Sequence, residues 1–211
     1  MKKPVKKVAA KKSPVKEPPK KKEPPKPVVI TSPAALWFAF DTETTGLVNN
    51  RTLPVSRQPE VVEFYGVQFD PGSGKLYDEL DQLIKPSKEM NAEQISHHGI
   101  DNEMLRHQPV FATVAPKIKK FIESQKLVLA HNLSFDMDMM EIEFQRLKQT
   151  IAWPKRMCTV EQTIHIKGHR LSLTKLHEYL FGEPFSGAHR AKVDVAALVR
   201  CICELHKRGI M

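Results

Sequence analysis

The chain has 211 residues, enough for one folded domain with a sizeable core, and its 33 basic and 24 acidic residues give a formal charge of +9. The charge is unevenly placed: residues 1–27 hold 11 Lys, no Arg and 2 Glu, and subtracting these from the totals leaves 22 basic and 22 acidic residues in the rest. No apolar run reaches the length of a membrane span, no secretory or mitochondrial leader pattern is present, and Cys158, Cys201 and Cys203 fit neither a zinc-finger nor a disulfide framework, so a reducing, intracellular setting is expected.

Residues 1–27 also carry 7 of the 16 Pro and no aromatic residue. Such a stretch has too little to bury to fold, so residues 1–30 are expected to form a disordered Lys/Pro-rich tail. A solubilising tail, a nucleic-acid-binding arm and a nuclear-import signal are all compatible with this composition.

The first structured element begins at Leu36, Trp37, Phe38, Ala39 and Phe40, a short apolar run that reads as a strand buried on both faces. It runs into Asp41 and Glu43. Side chains alternate along a strand, so both carboxylates project from the same side. Two like charges repel there, and burial aggravates the repulsion. A divalent cation between them removes the conflict. For these residues alone, two solvated acids at a strand end is the plainer reading.

Residues 48–59 read as a polar loop. Residues 60–70 (EVVEFYGVQFD) and 75–84 read as the second and third strands, and the short turn between them favours antiparallel pairing. Short helices are expected at 91–98 and 101–107. Val114, Ile118, Phe121 and Ile122 then fall at helical spacing, with Thr113 as N-cap and Pro116 in the first turn. Residues 127–130 (LVLA) form a fourth buried strand. After His131 and Asn132, a helix over 134–149 carries Asp136, Met139, Met140, Phe144 and Leu147 on one stripe, with Asp136 its sole acid. Met157 and Cys158 mark a short fifth strand. Helices follow at 159–166 and 172–181, the second capped by Ser172 and ended by Gly182. The last helix, 190–206, lines Asp194, Leu198, Cys201, Ile202 and Leu205 along one face.

Three elements thus bring acids to core-facing positions: Asp41 with Glu43, Asp136, and Asp194. A buried charge is costly unless it is paired or bound to metal, and no basic residue close in sequence is an evident partner for Asp136. Hard oxygen donors without His or Cys suit Mg²⁺ or Mn²⁺. Four carboxylates around two ions about 3.5–4 Å apart are the components of two-metal phosphodiester cleavage. His189, five residues before Asp194, is placed to take a proton from an attacking water.

From about residue 35 to 205 the chain resembles the DnaQ-like 3′–5′ exonucleases of the DEDDh group. Three motifs carry the resemblance, in order: FDTETTGL with Asp41 and Glu43, AHNLSFDMDMM with Asp136, and HRAKVDV with His189 and Asp194. SHHGI at 96–100 is similar to the family's HGI segment, and VVEFYGV at 61–67 to its second strand. The resemblance implies an α/β, RNase H-like fold over residues 31–211, with a five-stranded mixed sheet flanked by helices. It implies two divalent cations, Mg²⁺ or Mn²⁺, held by Asp41, Glu43, Asp136 and Asp194, with His189 as general base. Nucleoside 5′-monophosphates would be released from a free 3′ end. The implied substrate contacts are Thr44, Thr45, Gly46 and Leu47, with Glu63 and Asn132 as candidates for holding the substrate end; the family match places His98 near the site too, with a packing role as its equal alternative.

The TETTGL form resembles the DNA-directed branch of the family, so single-stranded or frayed DNA is the expected substrate. RNA trimming and a non-catalytic nucleic-acid-binding adaptor on the same fold are the alternatives. A polymerase or repair complex is the implied protein partner, with no membrane. The chain ends at Met211 without the long C-terminal segment by which bacterial proofreading subunits bind their polymerase, so a stand-alone enzyme or one recruited by its tail is expected. The nucleus is the expected location in a eukaryote, the cytoplasm or nucleoid otherwise. Asp138 is expected to be solvated, the cluster Met137, Met139 and Met140 to fill core, and Trp37 and Trp153 to serve the fold. His97, His107, His131, His165, His169, His177 and His206 lack metal-site spacing and read as ordinary polar histidines.

Overall fold

The computed structural model describes residues 36–48 and 50–211; the expected tail over 1–30 lies outside them. Five strands form one sheet: β1 (Trp37–Thr44), β2 (Val61–Phe69), β3 (Leu76–Leu83), β4 (Leu127–Ala130) and β5 (Lys155–Cys158). Their order is β3-β2-β1-β4-β5. β1 pairs antiparallel with β2 and parallel with β4, β2 pairs antiparallel with β3, and β4 parallel with β5. The helices are α1 (Ala92–His98), α2 (Asn102–Leu105), α3 (Phe111–Glu123), α4 (Leu133–Arg146), α5 (Thr159–Lys167), α6 (Leu173–Phe181) and α7 (Ala191–Lys207). This is the mixed, helix-flanked sheet that the family resemblance implied. Among the described residues, no helix is long and apolar enough to cross a membrane.

The alternation along β1 divides the core in two. Phe38 and Phe40 point to the side covered by α3 and α4, where they join Phe64, Ile118, Ile122, Met139, Met140 and Phe144. Trp37 and Ala39 point to the other side, against Val195, Leu198, Val199 and Ile202 of α7. The Met and Trp expectations hold: Met139 and Met140 are buried, Met137 packs on the same cluster, and Trp153 stacks on Phe40. Gly66, opposite Phe40 on β2, has no room for a side chain, because a Cβ there would clash with the ring edge of Phe38. Gly66→Ala should therefore destabilise the protein by about 1–3 kcal/mol, the usual penalty for overfilling a packed core. Denaturant melts giving a parental midpoint would show that the Phe38 ring has somewhere to go.

Three local expectations are corrected. Thr113 is not the cap of α3: the helix begins at Phe111, and Val110 is its N-cap without a side-chain bond, so Pro116 lies beyond the first turn. The start is set instead by Phe111, which is buried edge-on against Phe144, so packing overrides the capping preference. Asp136 is not the sole acid on its stripe. Glu143, seven residues on, is 3% exposed; its Oε1 pairs with Arg146 at 2.8 Å and accepts the Val61 N–H at 2.9 Å. Arg146 also donates to the Gln58 and Pro59 carbonyls at 2.7 and 2.8 Å, tying the loop before β2 to α4. Asp138 is not simply solvated; Arg51 pairs with it.

Candidate active site

The site lies at the C-terminal ends of the parallel strands β1 and β4, where α/β sheets open a crevice. Asp41 and Glu43 continue the series Trp37, Ala39 on the α7 side of β1, so the first turn of α7 lies opposite them. Asp194 comes from that turn. Oxygen atoms of Asp41, Glu43 and Asp194 all lie within 4.8 Å of one another. Neither the Asp41 nor the Glu43 carboxylate accepts a hydrogen bond among the described residues.

Asp136 arrives from the first turn of α4, on the other side of β1, and meets Thr42, the residue between the two strand acids. The Thr42 backbone N–H and hydroxyl donate to Asp136 Oδ1 at 3.1 and 2.8 Å. The structure therefore clusters three of the four expected ligands and holds the fourth on the Thr42 hydroxyl and amide. Both Asp136 and Asp194 sit in helix first turns, where the helix dipole favours a negative charge.

All four carboxyls resist ionisation. Burial, then the Asp136, Glu43 and Asp194 charges, hold Asp41 well above the ordinary carboxyl range. Burial, followed by Asp194, Glu63 and Asp136, pushes Glu43 up to about 8, against a smaller opposing pull from Arg190. Burial takes Asp136 to about 7, opposed by its bonds from Thr42. Asp194 is raised mainly by burial, with the His189 N–H bond pulling the other way. Packed carboxyls held in this state by desolvation and by one another are a donor set that fits a hard divalent cation.

His189 lies just ahead of α7 in the left-handed backbone region, at φ 70°. Its N–H donates to Asp194 Oδ2 at 2.9 Å, while its ring is exposed. The ring lies against that of His97, at the end of α1, with centroids 4.6 Å apart and planes at 34°. Glu63, opposite Glu43 on β2, is 1% exposed. Its carboxylate accepts three bonds from Arg190, at 2.8, 3.2 and 3.3 Å, and the Ala191 N–H at 2.9 Å. What Glu63 holds here is the start of α7, and hence His189 and Asp194, rather than an open substrate-facing position.

The expected substrate loop follows β1. The Thr44 hydroxyl donates to the Gly46 carbonyl at 2.7 Å, and Thr45 exchanges two bonds with Glu60, at 2.8 and 2.9 Å. Gln94 of α1 donates to the Thr45 carbonyl. Leu47, at the tip, is 67% exposed. Asn132 has a left-handed backbone (φ 68°), and its side-chain oxygen accepts from Arg170 at 2.6 Å. His98 is buried; its Nδ1 accepts the Ile100 N–H at 3.0 Å, and Nε2 has no partner among the described residues. Burial first, then neighbouring His97, lowers its pKa.

Sequence reading missed Thr42, Gln94, His97 and Arg190. The alternation on β1 puts Thr42 opposite Asp41 and Glu43 but does not say that α4 lies beneath it. The His97–His98 doublet was visible, but the contact to His189 depends on how the 182–190 loop returns to α1.

The exonuclease family profile matches residues 38–202. DNA polymerase III subunit epsilon of Escherichia coli is 29% identical over 126 residues, covering 60% of this chain and 50% of that protein. The Salmonella typhimurium subunit of the same name is 36% identical over 124 residues, covering 59% and 49%. The chain thus spans about half the length of these curated relatives. Among solved structures, the nuclease domain of 3′hExo, described as a DEDDh family member bound to rAMP, superposes with a TM-score of 0.69 at 18% identity, covering 83% of this chain and 94% of that one. This last likeness speaks to the fold.

Proposed function

Because this chain belongs to the exonuclease family, we propose that it is a 3′–5′ exonuclease acting on DNA with a free 3′ end. The observation that carries the reading is the meeting of Asp41, Glu43 and Asp194 within 4.8 Å, beside His189. Asp41, Glu43, Asp136 and Asp194 would hold two divalent cations, Mg²⁺ or Mn²⁺. When bound, such ions neutralise the phosphate charge and make water a stronger nucleophile.

The chain's own residues supply the rest. His189 accepts the proton as the water oxygen attacks the terminal phosphorus. The bond from phosphorus to the preceding 3′ oxygen breaks, that oxygen takes up a proton from solvent water, and a nucleoside 5′-monophosphate leaves. Thr44, Thr45 and Gly46 present backbone to the last sugar and phosphate, and Leu47 packs on the terminal base. Asn132, held by Arg170, and His98, whose buried Nε2 has no partner among the described residues, line the substrate end. Glu63 acts through Arg190 and Ala191 by fixing the start of α7. The domain runs from 31 to 211, and the lysines of residues 1–27 add affinity for phosphate backbone without choosing sequence.

The names of the curated relatives, subunits of a DNA polymerase, support DNA over RNA and a proofreading or repair setting with a polymerase or repair complex inside the cell. The test is a panel of single-stranded DNA, matched and mismatched duplex and RNA, each labelled at the 3′ end, with Mg²⁺ or with EDTA. Immediate loss of label as mononucleotide, abolished by EDTA and fastest on single-stranded or mismatched DNA, is expected. Internal cleavage, or activity indifferent to EDTA, would refute the reading; faster release from RNA would reverse the substrate preference.

A further inference from the structure

His189 has to present a ring nitrogen in one direction, yet nothing bonded to that ring provides the direction. Its backbone is fixed by the N–H bond to Asp194, but among the described residues its imidazole makes no hydrogen bond. A proton-accepting imidazole is normally oriented by a third group. An exposed one without that group spends its time among several rotamers. The ring that meets it is His97, at 4.6 Å.

His97 is well placed for the task because the helix carrying it is tied down at both ends. Asn91 and Gln94 form a reciprocal capping box at the start of α1. Buried His98, the next residue, closes the other end by accepting the Ile100 N–H. The Gln94 side chain also reaches the Thr45 carbonyl, in the loop proposed to meet the last nucleotide. One short helix therefore touches the substrate loop with Gln94 and the base with His97, three residues apart on adjacent turns.

We propose that His97 is the positioning residue for His189, holding its imidazole by ring-to-ring contact in the orientation that accepts a proton, while Gln94 sets the substrate loop at a matching height. The proposal rests on His189 acting as the proton acceptor. Ring pairs of this kind contribute enough to change the population of one rotamer by roughly twofold to tenfold.

The test uses the full chain, a short 3′-labelled DNA oligonucleotide and Mg²⁺. His97→Ala should lower turnover at saturation by about twofold to tenfold with KM unchanged. His97→Phe, which keeps a planar ring, should recover most of the loss. In a His189→Asn background, adding His97→Ala should change nothing further. A change in KM alone, failure of phenylalanine to restore turnover, or a His97→Ala loss that persists beside His189→Asn would each overturn the proposal. Parental turnover in His189→Asn alone would remove the proton-acceptor reading itself, so the two failures are told apart by that single variant.

Discussion

Asp41→Asn and Glu43→Gln should each lower hydrolysis by at least about 10³-fold, yet leave the metal-free protein more stable at pH 8 than the parent. The activity loss follows from removing a ligand whose cation supplies several kcal/mol of transition-state stabilisation, each 1.36 kcal/mol being about tenfold. The gain in stability follows from geometry. Neither carboxylate receives a hydrogen bond among the described residues, and both are crowded by Asp194 and Asp136. The amide keeps the shape and removes the repulsion. Asp136→Asn and Asp194→Asn should lose activity equally but gain less stability, because those carboxylates accept bonds from Thr42 and from the His189 N–H. An Asp41→Asn variant that melts well below the parent while its folded fraction still hydrolyses DNA would show these acids to be structural.

The same crowding fixes a pH dependence. Folding raises the pKa of Glu43 to about 8 and of Asp136 to about 7, and raises Asp41 and Asp194 in the same direction. In the unfolded chain these groups ionise near 4. Below that, both states are protonated and the full stabilisation is present. Between about 4 and 8 the unfolded state sheds its protons first, so stability of the metal-free protein declines as pH rises through the folded-state values. For a domain of this size, where 1 kcal/mol shifts Tm by about 2–4 °C, the metal-free protein should melt roughly 5 °C or more lower at pH 8.5 than at pH 5.5. Mg²⁺ should recover the difference at pH 8.5 and do little at pH 5.5. A metal-free Tm that rises steadily over this range would contradict the reading.

These expectations trace back to how β1 was legible. A run of alternating positions ending in Asp41 and Glu43 states which face the acids share before anything is known of the fold. The central strands β1, β2 and β4 were readable for the same reason: each is a short, largely apolar run buried within the sheet. What was not legible came from contacts between distant segments. Glu143 repeats at seven residues from Asp136, so helical period alone could have put it on the stripe, but a glutamate reads as solvated until Arg146 and the Val61 amide are known to meet it. Thr113 has the right chemistry for a cap, and it lost to the burial of Phe111. The bonds that Glu63 makes to Arg190 and Ala191 were not legible, because β2 runs under the start of α7, which no local pattern encodes. The site acids were visible as residue types, and their neighbours only as geometry.

His189→Asn should lower turnover by roughly 10²–10⁴-fold while leaving KM and Mg²⁺ affinity close to parental, the signature of a lost general base. Asparagine is the informative substitution because His189 sits at φ 70°. Asparagine tolerates that backbone, whereas alanine would add strain and confuse a folding defect with a chemical one. The backbone N–H to Asp194 therefore survives, and only the imidazole is removed. His189→Gly also accepts the conformation, and leaves a space beside His97 that a free imidazole can enter. Added imidazole should restore part of the turnover to the glycine variant and much less to the asparagine variant, where the side chain occupies that space. Single-turnover rates with saturating Mg²⁺ would separate the chemical step from binding. A His189→Asn protein whose single-turnover rate matches the parent would take His189 out of the chemistry, and leave it as the residue that turns the chain into α7.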